Sequence, residues 1–120
     1  MNAERLTQKS AEAIRSAQQI AQEYGNPQIE QVHLLWALLQ DSEGLIPQLL
    51  SGMGVTVPSL EAAVKNLLER QPRVSSSGHE AGKIYISAET EKALNRAEKI
   101  AGEMKDEYTS VEHLFLGLLE

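Results

Sequence analysis

Apolar residues recur at helical spacing along most of the chain. In residues 7–24 they form one stripe, which predicts a helix that begins after the cap residue Thr7 and ends before Gly25. Residues 30–40 are apolar on nearly every side, which is typical of a helix buried at the centre of a fold. Shorter helices are predicted over 45–53 and over 59–69, the latter preceded by Pro58.

This pattern occurs twice. Residues 6–40 align with residues 86–120 without a gap, at a constant offset of 80 residues. The repeat predicts a helix over 87–104 with Ser87 as its cap, and a last helix that begins near Thr109. Thr109 and Glu112 have the spacing of a capping box, in which each side chain binds the backbone N–H of the other residue. The identical pairs include Ala13/Ala93, Ala17/Ala97, Ala21/Ala101, His33/His113, Leu34/Leu114 and Leu38/Leu118.

The composition favours an all-α fold of two similar repeats in one domain. The 120 residues are 42% apolar but only 4% aromatic, so the core must be built mainly of aliphatic side chains. We place repeat one at 1–70, a linker rich in small polar residues at 71–84, and repeat two at 85–120. The sequence ends before any counterparts of the third and fourth helices, so we expect repeat two to be either truncated at its C-terminus or incomplete. We expect one side of its last apolar residues to lack cover: Leu114, Phe115, Leu118 and Leu119.

Charge and composition exclude several classes of partner. A net charge of −6 with no basic cluster disfavours nucleic acid and anionic membrane surfaces. The chain has no cysteine, no signal-like start and no apolar run long enough to span a membrane. We therefore expect a cytoplasmic protein.

No catalytic or metal-binding motif is evident. The segment 78–84 has one residue too few between its glycines for a nucleotide loop, and Ile84 stands where Ser or Thr would hold magnesium. His33, His79 and His113 stand singly, without ligand spacing, so we predict no metal. The serines at 75–77 have no positioned base. A duplicated helical unit without such chemistry indicates a binding module.

Two pairs of matched residues have a structural interpretation. His33 and His113 begin the buried helices, where an imidazole can hydrogen-bond to the turn that enters the helix. Trp36 and Phe115 are expected to pack in the core, and the alternative is that they form the floor of a groove.

The two motifs themselves resemble a known family. NPQIEQVHLLWALLQD and DEYTSVEHLFLGLLE are similar to the paired motifs of the Clp amino-terminal repeat domain, and ERLTQKSAEAI and RQPRVSSSG resemble its ClpB disaggregase branch most closely. The resemblance covers essentially the whole chain. It implies pseudo-twofold helical repeats tethered to a hexameric ATPase ring that engages unfolded or aggregated polypeptides. ATP and magnesium would belong to separate ATPase modules, so this domain would have no cofactor and no catalytic activity.

The resemblance also implies site residues. Thr7, Asp106 and Glu112 match positions implicated in chaperone function at a polar surface patch, although each is equally explained as a cap or turn residue. Further candidates for a substrate groove are Tyr85, Ile86, Tyr108 and Phe115.

Three functions stay open at this point. The first is capture of unfolded segments for the ATPase ring. The second is docking of a folded adaptor protein, as in ClpA-type or ClpC-type unfoldases that work with a protease. The third is an enzyme with Asp106, Glu112 and His113 in one pocket, which their backbone roles disfavour. The ClpC branch recognises phosphoarginine through a Glu before the His of each repeat. Here Glu112 precedes His113, but Val32 stands at the matching position before His33.

Overall fold

A computed structural model describes residues 3–40, 44–73 and 84–119 of the protein. Within these residues a single 3-10 turn at Ala3–Arg5 precedes six α-helices and two very short strands. In chain order they are α1 (Gln8–Glu23), β1 (Gln28–Ile29), α2 (Gln31–Gln40), α3 (Leu45–Gly52), α4 (Val57–Arg70), β2 (Tyr85–Ile86), α5 (Ala88–Glu103) and α6 (Val111–Leu119). The predicted all-α class is confirmed, with a minimal sheet that the sequence did not predict.

The first helix of each repeat begins and ends as predicted. The Thr7 hydroxyl accepts from the Ser10 amide at 3.2 Å at the start of α1, and the Ser87 hydroxyl accepts from the Thr90 amide at 3.2 Å at the start of α5. Each helix buries a stripe of alanines, which lets the next helix approach closely. These are Ala13, Ala17 and Ala21 in α1, and Ala93, Ala97 and Ala101 in α5.

The turns after α1 and α5 are built alike. Both close with the paired amide-to-carbonyl bonds of a Schellman motif. The left-handed position that this motif requires is filled by Gly25, with φ of 67°, in repeat one and by Lys105, with φ of 60°, in repeat two. Asn26 and Asp106 follow directly, so their side chains leave the backbone from equivalent places.

The buried helices α2 and α6 form the centre of the core. α1 packs against α2 and α5 packs against α6, and the two hairpins meet where α6 also contacts α2 and α3. The α5–α6 contact is tightest at Gly117, where a Cβ would lie 2.5 Å from the carbonyl oxygen of Ala93. Ala37 holds the equivalent position in α2, so the second hairpin is packed more closely than the first.

Two expectations about helix starts are wrong. α4 begins at Val57 and includes Pro58 in its first turn, because a proline there lacks only an N–H that has no helical partner. The predicted capping box of Thr109 and Glu112 does not form, since the Thr109 amide donates instead to the Arg5 carbonyl at 2.7 Å. The amides of His113 and Leu114 donate to the Ser110 carbonyl, so the residue that precedes α6 is Ser110.

The expected lack of cover on the last helix holds only in part. Leu114 and Phe115 are buried and Leu118 is half-buried, whereas Leu119 is 65% exposed. Its counterpart Leu39 is 2% exposed, because α4 packs on α2 and no helix among the described residues packs on α6 in that way. Most of the predicted linker, residues 74–83, lies outside the described residues, and with it His79, the serines at 75–77 and most of the segment 78–84.

Candidate functional site

The start of repeat one is held by the turn of repeat two. Leu6 pairs with Thr109 in a parallel bridge. The Thr109 carbonyl accepts from the Thr7 amide at 3.0 Å, and also from the hydroxyl of the fully buried Ser10 at 3.0 Å. With the bond from the Thr109 amide to Arg5, both backbone groups of Thr109 are satisfied by repeat one. We call this contact the first junction.

A second junction repeats this arrangement with the roles of the repeats exchanged. β1 and β2 pair in parallel, Gln28 with Tyr85 and Ile29 with Ile86. The Ser87 amide donates to the Ile29 carbonyl at 3.1 Å. The equivalent bond at the first junction runs from the Thr7 amide to the Thr109 carbonyl. Each repeat therefore lays its leading segment on the turn of the other. Strands of two residues are too short to be stable alone, so the helices must hold these junctions in register.

A buried histidine fixes the turn at the first junction. His113 is 1% exposed, and its Nδ1 accepts from the Ser110 amide at 2.9 Å. The proton therefore lies on Nε2, which donates to Oδ2 of Asp106 at 2.9 Å. The Asp106 side chain is 47% exposed, so its carboxylate is held by the core but still faces solvent.

His33 has the same role in repeat one, with a different partner. Its Nδ1 accepts from the Glu30 amide at 2.7 Å, and its Nε2 lies 2.8 Å from Oδ1 of Asn26. Burial lowers the pKa of His33 below its ordinary value, against the smaller raising effects of the Glu30 charge and of the hydrogen bond to its backbone. The predicted structural role of both histidines is confirmed.

Four predicted site residues lie on segments that meet at the first junction. Thr7 and Tyr108 flank the paired residues, Asp106 is tied to α6 through His113, and Glu112 lies half-buried in the first turn of α6. Tyr108 is 51% exposed. Met104, which the sequence analysis did not select, is 54% exposed at the same turn. We call these five residues the repeat-two surface: Thr7, Met104, Asp106, Tyr108 and Glu112.

The other candidates lie elsewhere. Tyr85 is 72% exposed and belongs to the second junction, where Ile86 is half-buried. Phe115 is 8% exposed within the core, and Trp36 packs against that core, so their predicted packing role is confirmed. A role of Tyr85 or Phe115 in binding a partner stays a prediction.

A groove that the sequence did not predict lies between α1, α2 and the start of α3. Its volume is about 600 Å³, and its rim carries Lys9 and Glu12. The apolar part is formed by segments far apart in the chain, which is why no local pattern indicated it: Ala13, Ala37, Leu38, Leu45, Ile46 and Val111.

Two further features were looked for in the described part of the chain, a metal-ligand cluster and a membrane-spanning helix. It contains no group of three or more His, Cys, Asp or Glu side chains placed to hold a metal ion. None of its helices has both the length and the apolar character that crossing a bilayer requires.

The fold and the reciprocal junctions define a class of protein, an all-helical domain made of two pseudo-twofold repeats. A family model described as the Clp repeat (R) N-terminal domain matches residues 5–120. The chain belongs to this family, which confirms the resemblance seen in the sequence.

Similar proteins agree with that assignment. The chaperone protein ClpB of Bacillus anthracis is 39% identical over 120 residues, which are 100% of this chain and 14% of that protein. The Hsp104 N-terminal domain of Candida albicans has the same fold, with a TM-score of 0.85, 24% identity, and coverage of 96% of this chain and 73% of that one. The N-terminal domain of the caseinolytic protease associated chaperone ClpD of Arabidopsis thaliana is 26% identical with a TM-score of 0.70, covering 98% of this chain and 77% of that one.

Proposed function

We propose that this domain captures unfolded or aggregated polypeptide segments and delivers them to the ATPase ring of a ClpB-type disaggregase. The observation that carries this proposal is the repeat-two surface, where the exposed side chains of Met104 and Tyr108 belong to the same turn as the Asp106 carboxylate, which a buried histidine holds in place. The chain spans 14% of the ClpB protein of Bacillus anthracis, and this similarity supports the proposal that the domain belongs to a larger disaggregase.

The chemistry of this surface suits broad but charge-biased binding. Met104 and Tyr108 can cover apolar side chains of a partner, and burial worth about 25 cal/mol per Å² requires no particular sequence. Asp106 and Glu112 favour cationic residues near the apolar segment and disfavour acidic ones. The net charge of −6 acts in the same direction.

The remaining properties follow from this proposal. The domain catalyses nothing, because binding and release of a polypeptide segment need no covalent chemistry. ATP and magnesium act in ATPase modules of the parent protein, which is hexameric. The protein works in the cytoplasm, where aggregated proteins are its substrates.

The second candidate function is docking of an adaptor protein for an unfoldase that works with a protease. The similarity to the N-terminal domain of ClpD, a protease-associated chaperone, favours it. An adaptor would form a stoichiometric complex as a folded protein, and unfolded chains would not compete with it. A phosphoarginine receptor of the ClpC type fits less well, because Val32 replaces the acidic residue of repeat one.

An NMR titration of the ¹⁵N-labelled chain distinguishes these functions. The probes are a reduced and carboxymethylated protein, which cannot fold, and its native parent. Capture predicts shifts at the repeat-two surface with the unfolded probe alone, and a loss of affinity in Tyr108→Ala. The control is Leu67→Ala, which removes a similarly exposed apolar side chain from α4, outside the repeat-two surface. Shifts with neither probe would reject direct capture, and shifts confined to the groove beside Lys9 would move the site there.

A further inference from the structure

The turn of repeat one is covered by a segment of the same chain. Pro72 follows the end of α4, and its carbonyl accepts from Nδ2 of Asn26 at 2.9 Å. The guanidinium of Arg73 lies 5.6 Å from the centre of the Tyr24 ring, within the range of a cation–π contact. Gln71 is in an extended conformation, with φ of −64° and ψ of 143°, as expected for a residue before proline. The segment therefore leaves α4 extended and crosses the turn.

The equivalent turn of repeat two has no such cover within the described residues. Asn26 is 1% exposed, whereas the side chain of Asp106 is 47% exposed. Tyr24 is half-buried, whereas its counterpart Met104 is 54% exposed. Among the described residues, therefore, a segment of chain lies on the turn of repeat one and none lies on that of repeat two.

The hydrogen bonds of the two turns also determine what each can bind. In repeat one, Nε2 of His33 faces Oδ1 of Asn26, so the amide nitrogen of Asn26 is left to donate outward. It therefore selects an acceptor such as a backbone carbonyl. In repeat two, the carboxylate of Asp106 can only accept, so it selects an amide or a cation.

We propose that Tyr24, Asn26 and Gln28 form a second binding site for extended segments, and that Pro72 and Arg73 occupy it as an intramolecular ligand. The site takes a segment with a free carbonyl followed by a cationic side chain, because this is the chemistry of its present occupant. Since that partner class is the one proposed above for repeat two, this inference rests on the proposed function. We call the three residues the repeat-one site.

Displacement of the occupant is physically reasonable. Pro72 and Arg73 are both exposed, so neither is anchored in the core. Their two contacts are a single hydrogen bond and a surface cation–π pair, which are individually weak. A polypeptide already held at the repeat-two surface would compete at high local concentration, because attachment at one site makes binding at the second intramolecular.

The test supplies the covering segment as a separate peptide. The probe is a synthetic peptide with the chain's own sequence RQPRVSS, titrated into the ¹⁵N-labelled full chain and into the double variant Pro72→Gly/Arg73→Ala. The variant keeps the backbone carbonyl of residue 72, but it removes the cation that contacts Tyr24 and the ring that restricts the attached segment, so that segment competes less well. The control variant is Arg70→Ala, which removes the same charge from the exposed end of α4. A second peptide replaces the central arginine of the probe with alanine.

The proposal expects shifts of Tyr24, Asn26 and Gln28 in the double variant. The affinity of the peptide there should be about tenfold higher than in the unmodified chain or in Arg70→Ala, where the attached segment competes at an effective concentration near the millimolar range. The alanine peptide should bind more weakly. Absence of these shifts in the double variant, equal affinity in all three proteins, or equal binding of both peptides would each overturn the proposal.

The same samples separate this inference from the proposed function. The carboxymethylated protein is titrated into them in parallel, and its shifts at the repeat-two surface report on capture. If that surface responds while the repeat-one site ignores the peptide, capture stands and the second site is rejected. If the peptide binds the repeat-one site while the unfolded protein binds nowhere, the covered site exists but its partner is not an unfolded chain, and the proposal as stated is overturned.

Discussion

Asn26 and Asp106 occupy equivalent positions in the two repeats, and each contacts Nε2 of the buried histidine in its own repeat, at 2.8 Å and 2.9 Å. The backbone around them is the same, but one side chain is a neutral amide under a covering segment and the other is an exposed carboxylate. Within the described residues, this pair of positions gives a covered turn in repeat one and an exposed acidic side chain in repeat two. The predictions below concern this pair and the elements that support it.

Exchange of these side chains should have unequal effects. In Asn26→Asp an outward carboxylate oxygen replaces the amide donor opposite the Pro72 carbonyl, leaving two acceptors together in a buried place. We expect a loss of about 1–3 kcal/mol in the free energy of unfolding, measured by urea denaturation at neutral pH. Asp106→Asn is the control and should cost less, because its side chain is half exposed and its Oδ can still accept from His113. Equal losses would contradict this account of the covering segment.

Acid should destabilise the protein through His33. Burial lowers the pKa of His33 from 6.5, so the unfolded chain binds a proton there more readily than the folded protein does. This contribution to stability is complete above about pH 6.5 and is lost as pH falls from 6.5 to the folded pKa, with a slope of at most about 1.4 kcal/mol per pH unit. Urea denaturation between pH 7.5 and 5 measures the slope. The variant His33→Gln lacks the titrating group, and an equal slope in that variant would reject this assignment.

Variants of Thr7 can separate its role as a helix cap from its proposed role in binding. Thr7→Ala and Ser87→Ala each remove a cap hydroxyl that accepts a hydrogen bond from a helix amide. Each variant should therefore lose about 1 kcal/mol in the free energy of unfolding. Only Thr7→Ala should also weaken binding of the unfolded probe, because Ser87 belongs to the second junction. Thr7→Ser keeps the cap oxygen and should restore both properties. If Ser87→Ala weakens binding as much as Thr7→Ala, the effect of Thr7 on binding is explained by helix stability.

Lys105 holds a strained backbone position. Its φ of 60° is disfavoured for a residue with a side chain, whereas Gly25 takes the equivalent position in repeat one without that cost. Lys105→Gly should therefore raise the free energy of unfolding by about 1 kcal/mol. The reciprocal variant Gly25→Ala should lower it by a similar amount. Thermal and urea denaturation of both variants measure the difference, and a destabilised Lys105→Gly would contradict the prediction.

Two glycines in repeat two should respond oppositely to the same substitution. A Cβ on Gly117 would lie 2.5 Å from the Ala93 carbonyl oxygen and 3.0 Å from the Ala97 amide nitrogen. Both neighbours are backbone, so Gly117→Ala should cost about 1–3 kcal/mol as α5 and α6 are forced apart. Nothing lies within 4 Å of a Cβ on Gly102, so Gly102→Ala should stabilise α5 by up to about 1 kcal/mol. A neutral Gly117→Ala would show that the hairpin relaxes more easily than this contact implies.

The sequence by itself determined the repeat, the presence of the helices, and the caps of the first helix in each repeat. Thr7 and Ser87 begin their helices as predicted, because a cap is a local arrangement of a hydroxyl and an amide three residues away. Alignment of the repeats at an offset of 80 residues also showed the paired family motifs and matched His33 with His113 at the start of the buried helices. Each of these features depends on residues close together in the chain, whose spacing is fixed by helical geometry.

Only the tertiary structure decided how the repeats join and which surfaces are open. Thr109 was predicted to cap α6 with Glu112, but its amide is bound by Arg5, which lies more than a hundred residues earlier in the chain. The cover of Asn26 by Pro72 and the groove beside Lys9 likewise join segments that are distant in sequence. The physical reason is that a backbone donor takes whichever acceptor the packed helices bring to it, and local spacing does not specify that partner.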